Sequence, residues 1–428
     1  MNVAAAHALL DRLPRFEVKP GLERVRRLLE ALDHPEQDFP AIHVAGTNGK
    51  GSVVAMLARV LVHAGLRVGR YTSPQVIDFR DRIAVNRAWI PEEALAEGVS
   101  RLQRAIAEGD TPSQFEAITA LALEHFARCD VDLAVVEVGL GGRFDATNVV
   151  SPILTILTNV ALDHQWILGE TIEQIAWEKA GIAKAETPLL HGSLEAPARD
   201  VVLAECTAVG AESVPAESID VERVGADWDV ARYRATLSGR GIEFDLPLLG
   251  GYQKENLRIV LRAIEILREQ GRRVTDEAVV EGLHAVEWPG RFEVLRRNPT
   301  VVLEGAHNVD GARRLAADIA SRVPDRARRH LLFGVLEDKD AEGMLDALAP
   351  IFGRLALCES SSPRALPAAE LQERAEARGL DSAWYHSLDE ALAEVLPSLG
   401  EGDVLVVAGS LTVVAEARQG LMEGRWRR

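Results

Sequence analysis

The sequence predicts an α/β protein in two parts, a larger domain on a mostly parallel sheet and a smaller α/β domain after it. Three observations predict this. Short runs rich in Val, Ile and Leu alternate with helical patterns, as βαβ units require. Several of those runs end directly in polar, glycine-containing segments. The length of 428 residues exceeds what one core usually serves.

Taken in order, AIHVA (41–45) runs into Gly46-Thr47-Asn48-Gly49-Lys50, and LRVGRY (66–71) runs into Thr72-Ser73-Pro74. LAVVEV (133–138) runs into Gly139-Leu140-Gly141-Gly142-Arg143, and ILTILTNV (153–160) leads to Asp163-His164. Ligands of parallel sheets bind at the carboxyl ends of strands, so four such exits point to one crevice. WDVARYRATLSGRGIEFDLPL (228–248) alternates in period two around Gly239-Arg240-Gly241 and predicts a β-hairpin at the edge of the first domain. Residues 192–225 carry too weak a pattern to assign. Trp288-Pro289-Gly290 breaks the pattern, which sets the expected domains at 1–286 and 287–428. In the second, TVVLE (300–304) precedes Gly305-Ala306-His307-Asn308, HLLFGVL (330–336) precedes Glu337-Asp338-Lys339-Asp340, and VLVVA (404–408) precedes Gly409-Ser410.

Composition narrows the function. The net charge of −17 argues against nucleic-acid and membrane-surface binding. Cys129, Cys206 and Cys358 are far apart, so neither a zinc site nor a disulfide framework is expected. The N-terminus has no basic start before an apolar run, and no run of about 18 apolar residues occurs, so the expected location is the cytoplasm.

The segment 46–52, GTNGKGS, follows a strand and leads into a helix expected from about Ser52. Glycines let backbone N–H groups curl around a phosphate, the helix N-terminus adds positive potential, and Lys50 can reach β/γ-phosphates. The segment departs from G-x-x-x-x-G-K-[ST] at Val44 and Gly51, and a plain strand-to-helix turn is the competing reading. Glu137, His164 and Ser73 follow three different strands and offer the oxygens and one imidazole of a mixed magnesium site. In ETIEQIAWEKAGIAK (170–184), Thr171 and Gln174 form a capping-box spacing and Gly181 suits the helix end. Lys179 falls on the apolar stripe of Ile172, Ile175 and Ala176, where a bare ammonium is costly. It either snorkels or is modified or paired. His43 and His125 read as packed histidines. Arg326, Arg328 and Arg329 read as a solvated loop, and Arg425, Arg427 and Arg428 as a frayed tail.

Together these motifs resemble the folylpolyglutamate synthase/dihydrofolate synthase family of the Mur ligase superfamily. The resemblance runs from about residue 22 to 414. It is carried by GTNGKGS (46–52), TSP (72–74), SQFEAIT (113–119), EVGLGGRFDATN (137–148), DH (163–164), EKAGI (178–182), GGYQKEN (250–256), WPGRFE (288–293), GAHN (305–308), DKD (338–340) and GS (409–410). The superfamily form of the loop, G-T-N-G-K-[GT]-[ST], accounts for both departures. The resemblance implies a P-loop-containing N-terminal domain and a Rossmann-like C-terminal glutamate-ligase domain. It implies that Thr47, Asn48, Gly49, Lys50, Gly51 and Ser52 hold ATP phosphates, and that Asn256, Arg291, Glu304 and His307 complete the ATP site. Ser73, Glu137 and His164 would bind one or two Mg²⁺, together with a carbamylated Lys179. Ser113, Gln114, Phe115, Glu116, Phe144, Asp145 and Ala146 would line the pterin wall. Lys50, Lys179, His164 and Arg291 would be catalytic. The family's usual His after TSP is Gln75 here, and its usual Asp before GAHN is Glu304.

The implied reaction joins L-glutamate to dihydropteroate, to a reduced folate, or to both, through an acyl phosphate, in a monomeric enzyme whose two domains close over the intermediate. The alternatives are a muropeptide ligase, a nucleotide-dependent binding module and an ordinary P-loop NTPase. GGRFDATN and SQFE favour folate over a muropeptide, and the apolar-face lysine argues against a mere binder.

Overall fold

The computed structural model describes residues 1–14, 21–107 and 110–426. The chain forms two compact units, one of residues 1–224, 232–246 and 254–286, the other of 225–231, 247–253 and 287–428.

The first unit is organised by eight strands: β1 (Ala41–Ala45), β2 (Val68–Tyr71), β3 (Ile83–Val85), β4 (Ala88–Trp89), β5 (Leu133–Glu137), β6 (Pro152–Leu157), β7 (Leu189–His191) and β8 (Ser213–Pro215). Their order is β4-β3-β2-β5-β1-β6-β7-β8. All neighbours from β2 to β8 pair in parallel, while β3 and β4 return antiparallel beyond β2. The four runs with polar exits are therefore the adjacent strands β2-β5-β1-β6, and their exits share one carboxyl edge. β1 and β5 are buried at every position, which is why they read as continuous apolar runs rather than alternating ones. Ala134 and Val136 of β5 pack with Leu28, Leu95 and Phe126 from three helices. Leu157 and Leu189 pack with Ala180, Ile182 and Val202 in a separate cluster.

The expected hairpin exists as β10 (Ala231–Leu237) and β11 (Arg240–Leu246). Burial alternates along β10, and cross-strand pairs Arg232–Asp245 (2.9 Å) and Arg234–Glu243 (2.8 Å) fix an antiparallel register. It does not extend the main sheet. A third strand, β9 (Val221–Ala226), joins it in a separate sheet ordered β11-β10-β9. β9 comes from the stretch that could not be assigned, and its mostly exposed residues explain the missing pattern. The helix Ala196–Val209 in the same stretch buries only Ala198, Val202 and Cys206, too narrow a stripe to read.

The second unit holds β12 (Glu293–Arg296), β13 (Thr300–Glu304), β14 (Arg329–Phe333), β15 (Arg354–Cys358), β16 (Ala383–Tyr385) and β17 (Val404–Ala408), in the order β12-β13-β17-β14-β15-β16. Only β12 is antiparallel to its neighbour. The three runs with polar exits are β13, β17 and β14, again adjacent. Two segments that precede residue 287 group with this unit. The Trp228 ring stacks on Phe292, and Arg322 lies over both rings while donating to the Leu249 carbonyl. The Gly251 N–H donates to Asp318. Aromatic and ionic contacts of distant residues bring these segments in, and a linear sequence boundary could not include them.

Arg329 corrects the expectation of a solvated arginine loop. Arg326–Arg328 form a short 3-10 turn, but Arg329 opens β14 and is buried, donating to the carbonyls of Val323 (2.5 Å), Ile351 (2.9 Å) and Pro324 (2.8 Å). Three carbonyls converge where one guanidinium can serve them all. Arg329→Met should therefore lower unfolding stability by about 3 kcal/mol, since it strands buried acceptors. Urea denaturation checks this, and a loss below about 1 kcal/mol would mean that water serves those carbonyls equally well. Arg425 donates to Glu423 at 2.7 Å, whereas Arg427 and Arg428 lie outside the described residues. Among the described residues no helix is long and apolar enough to cross a membrane.

Candidate active site

The loop after β1 is strapped to the exit of β6. The Thr47 N–H donates to the Asn159 carbonyl (3.0 Å) and the Asn48 N–H to Asn159 Oδ1 (2.9 Å). The Thr158 hydroxyl donates to the Asn48 carbonyl (2.6 Å) and the Thr47 hydroxyl to the Ala161 carbonyl (3.2 Å). Thr158 and Asn159 close the apolar run 153–160, and that polar TN is the sequence signal of the strap. The helix after the loop spans Lys50–His63 and starts two residues before Ser52. Gly49 caps it at φ 86° with no side-chain bond, which L-residues with a Cβ rarely allow. Asn256 also requires glycine there, because a Cβ on Gly49 would collide with its Oδ1. A helix start of this kind directs backbone N–H groups at an anion. Gly51 and Ser52 are buried in its first turn.

Two lysines converge on this loop. Lys50 Nζ donates to the carbonyls of Gly46 (2.9 Å) and Thr47 (3.1 Å), and Lys179 Nζ donates to the same Gly46 carbonyl (3.1 Å). Lys179 lies on the helix Ile172–Ala180, which starts with the Thr171/Gln174 capping box. It is 4% exposed beside Ile175 and Ala176, so the apolar-stripe reading holds and the side chain does not snorkel. Burial and then the nearby Lys50 charge push its amine down to about 7, against the opposing pull of Asp163, Asp145 and Glu178. Gly181 does end the helix, but at φ −61° rather than in the left-handed form. A glycine is needed there because a Cβ would run into Arg143.

Glu137 is the last residue of β5 and is buried, and its carboxylate accepts the Ser73 N–H at 3.3 Å. His164 takes φ 50° ahead of the short helix Gln165–Leu168, with its ring 3.8 Å from Asp163. Asp163 exerts the largest opposing pull of the three acids in the charge balance of Lys179. Among the described residues, no three His, Cys, Asp or Glu side chains gather as a metal cage. Gln75 Oε1 accepts from Arg82 (2.7 Å).

The seven residues expected along a pterin wall divide into two groups. Ser113 and Glu116 cap the helix Gln114–Arg128, Glu116 pairs with Arg24 (2.9 Å), and Gln114 donates to the Leu10 carbonyl (3.0 Å), so all three hold the helix in place. Phe115 instead reaches the β5 exit, where its ring lies against Gly139 and 6.0 Å from the Tyr71 ring. In the same loop Phe144 is exposed and Ala146 buried. Asp145 is buried, accepts N–H groups from Leu140 (2.8 Å) and Thr147 (3.0 Å), and is pushed upward by burial. His43 is a packed histidine, 2.8 Å from the Thr147 hydroxyl, with burial pushing it down to about 3.

In the second unit, Glu304 ends β13 and accepts the Tyr252 hydroxyl at 2.7 Å. Arg291 donates to the Gly305 carbonyl (3.1 Å), as does His307 Nδ1 (2.8 Å). Burial raises Glu304 from 4.5 to about 7, with Arg291 and the Tyr252 hydrogen bond opposing. The folded state thus keeps this proton to higher pH than the unfolded chain does. The resulting stabilisation is fully present below pH 4.5 and is lost as pH rises toward 7. Glu304→Gln should therefore exceed the parent in stability by about 1–3 kcal/mol at pH 8 and match it near pH 4. Equal stability differences at both pH values in urea titrations would show that the carboxyl ionises normally. The sequence assigns Tyr252 and Asp318 no individual role, because their partners are far away along the chain.

The geometry can be set beside known proteins. The chain is 35% identical to the folylpolyglutamate synthase of Lacticaseibacillus casei, covering 99% of this chain and 100% of the relative. It is 34% identical to the dihydrofolate synthase/folylpolyglutamate synthase of Bacillus subtilis, covering 95% and 96%. The chain belongs to the folylpolyglutamate synthase/dihydrofolate synthase family. Residues 290–411 match the Mur ligase, glutamate ligase domain. Escherichia coli FolC, solved in complex with DHPP and ADP, is similar in structure with a TM-score of 0.88 at 28% identity over 99% of both chains. As a member of this family, the chain is an ATP-dependent amide ligase that adds L-glutamate to dihydropteroate, to folates, or to both.

Proposed function

We propose that the edge formed by β2, β5, β1 and β6 is where the acceptor carboxylate is phosphorylated. The observation that supports this most is the meeting of Lys50 and Lys179 on the Gly46 carbonyl, beside a helix N-terminus. A carboxylate oxygen of the acceptor attacks the γ-phosphorus, forming an acyl phosphate and releasing ADP. The L-glutamate amine then attacks the acyl carbon, the C–N bond forms, phosphate leaves, and the amine proton passes to solvent or a base. Phosphoryl transfer needs positioning and charge neutralisation above all. Gly49, Gly51 and Ser52 would hold phosphates through loop and helix amides, with Lys50 countering the γ-charge, while Thr47 and Asn48, whose N–H groups donate to Asn159, shape the loop. Asn256, packed on Gly49, keeps the loop in shape. Within the second unit, Arg291 and His307, which both donate to the Gly305 carbonyl beside Glu304, are proposed with Glu304 as nucleotide-recognising residues. Phe115, Phe144 and Ala146 are proposed to face the pterin, with Asp145 fixing their loop.

Magnesium fits the residues present. It prefers oxygens, takes one or two carboxylates and keeps several waters. Glu137 with Ser73 is such a sparse set, and His164 is the proposed further ligand. When bound, the ion would neutralise charge on the transferring phosphate. A carbamate on Lys179 also fits. A buried amine lowered to about 7 has a neutral fraction near physiological pH, and that nitrogen can add to CO2 with loss of one proton. The product is an anion, so the Lys50 charge that penalises the ammonium would favour the carbamate.

The test is ATP-dependent phosphate release with Mg²⁺ and L-glutamate, offering dihydropteroate and tetrahydrofolate separately and weighing products by mass spectrometry. Addition of one glutamate to both acceptors assigns two activities, and addition to one assigns that one. No product with either, from protein that still binds ATP, would overturn the folate reading in favour of muropeptide acceptors.

A further inference from the structure

One buried side chain joins the two segments on which the proposed chemistry rests. Asn148 Nδ2 donates to the Arg143 carbonyl (3.0 Å) and to the Gly181 carbonyl (3.1 Å). Arg143 is the residue before Phe144 in the acceptor-side loop, and Gly181 lies two residues after Lys179. Asn148 is 7% exposed, and its own Oδ1 accepts from Lys184 Nζ at 2.7 Å. An amide has one carbonyl oxygen and two N–H donors, so a Lys on one side and two carbonyls on the other match its hydrogen-bonding capacity in a defined flip.

The two backbones are close along this stretch. The Arg143 N–H donates to the Glu178 carbonyl at 2.8 Å. A Cβ on Gly142 would fall 2.8 Å from the Lys179 carbonyl, which no side chain tolerates without movement. The Arg143 guanidinium covers the Trp177 ring at 3.8 Å and donates to the Trp177 carbonyl. The loop and the end of the Lys179 helix therefore form one packed body, with Asn148 as its internal hydrogen-bonding link.

We propose that Asn148 is a positioning residue that registers the acceptor-side loop against Lys179, so that the acceptor and the lysine keep a fixed relation during phosphoryl transfer. Asn148 touches neither substrate nor phosphate and acts through Arg143 and Gly181. The proposal rests on the acceptor reading given above.

Asn148→Asp separates positioning from folding. The aspartate keeps an oxygen for Lys184 and forms an ion pair with it, but it cannot donate to either carbonyl. Asn148→Asp and Asn148→Ala should raise the acceptor KM and lower kcat, together by about 10- to 100-fold in kcat/KM, because small misplacements of reacting groups carry large rate costs. ATP affinity, read by calorimetry, should remain within about twofold. Amide hydrogen exchange should quicken in peptides covering 139–148 and 178–184 of the full chain and nowhere else. Lys184→Met, which keeps both carbonyl bonds, should show a smaller kinetic defect than Asn148→Asp. Unchanged acceptor KM and kcat in a folded Asn148→Asp would overturn the proposal. So would a parallel fall of ATP affinity, acceptor affinity and melting temperature across the three variants, which marks a purely structural role. If the parent turns over neither folate acceptor, the functional reading fails first, while the exchange data still report whether the link exists.

Discussion

Lys179→Ala is expected to lower kcat for amide formation by about 10²–10³-fold, while ATP binds within about threefold of the parent affinity. The expectation follows from where the amine sits. It is buried on an apolar helix face and shares the Gly46 carbonyl with Lys50, which is close enough to depress its basicity. The backbone amides that open the Lys50–His63 helix, proposed above to hold phosphate, do not depend on Lys179, so nucleotide binding should outlast catalysis. Stability should move the other way. The folded state gives up this proton near pH 7 and the unfolded chain holds it to about 10.5, so the cost of the buried ammonium is fully present below pH 7 and fades as pH rises between those values. In CO2-free buffer, where the amine is unmodified, Lys179→Met should therefore be more stable than the parent by about 2–4 kcal/mol at pH 6 and by less at pH 9. Retained turnover in Lys179→Ala, measured as phosphate release with mass-spectrometric product detection, would remove Lys179 from the mechanism. A ¹³C carbamate resonance from labelled bicarbonate, present in the parent and absent in the variant, would assign the modification directly.

Gly46→Ala is the second large effect. Gly46 adopts φ 144° against Thr158, so an alanine Cβ has no room and the backbone must move. The displaced carbonyl is the one that both lysines use. The variant should lose about 2–4 kcal/mol of stability and at least about tenfold in ATP affinity. Thr158→Ser offers a control, because it keeps the hydroxyl that donates to the Asn48 carbonyl. Gly46→Ala with parental ATP affinity, read by calorimetry, would show that the loop adapts without moving the Gly46 carbonyl.

Much of this was open to a linear reading. The buried strands β1 and β5 announce themselves as apolar runs because both faces of the sheet are covered, so every residue must be apolar. The capping box at Thr171 is a local hydrogen-bonding pattern of four residues and is legible at that range. Lys179 stood out because one charge interrupts an otherwise apolar stripe. The hairpin at 231–246 was legible for the same reason, a period of two with one face exposed.

What the sequence determined by itself was therefore whatever depends on neighbours within about one or two helical turns: strand type, helix starts, and the lysine on the wrong face. What only the tertiary structure decided depends on residues far apart in the chain. Adjacency of β2-β5-β1-β6 turned four separate polar exits into one edge. Asn159 became a strap for the loop, Arg329 an internal donor, and Tyr252 a partner of Glu304. Gly181 is glycine for lack of space beside Arg143 and not for its backbone angle. In each case the deciding contact is a hydrogen bond or a steric approach, effective only within a few ångströms. Such contacts leave no periodic trace in sequence, and only the folded chain brings their partners within reach.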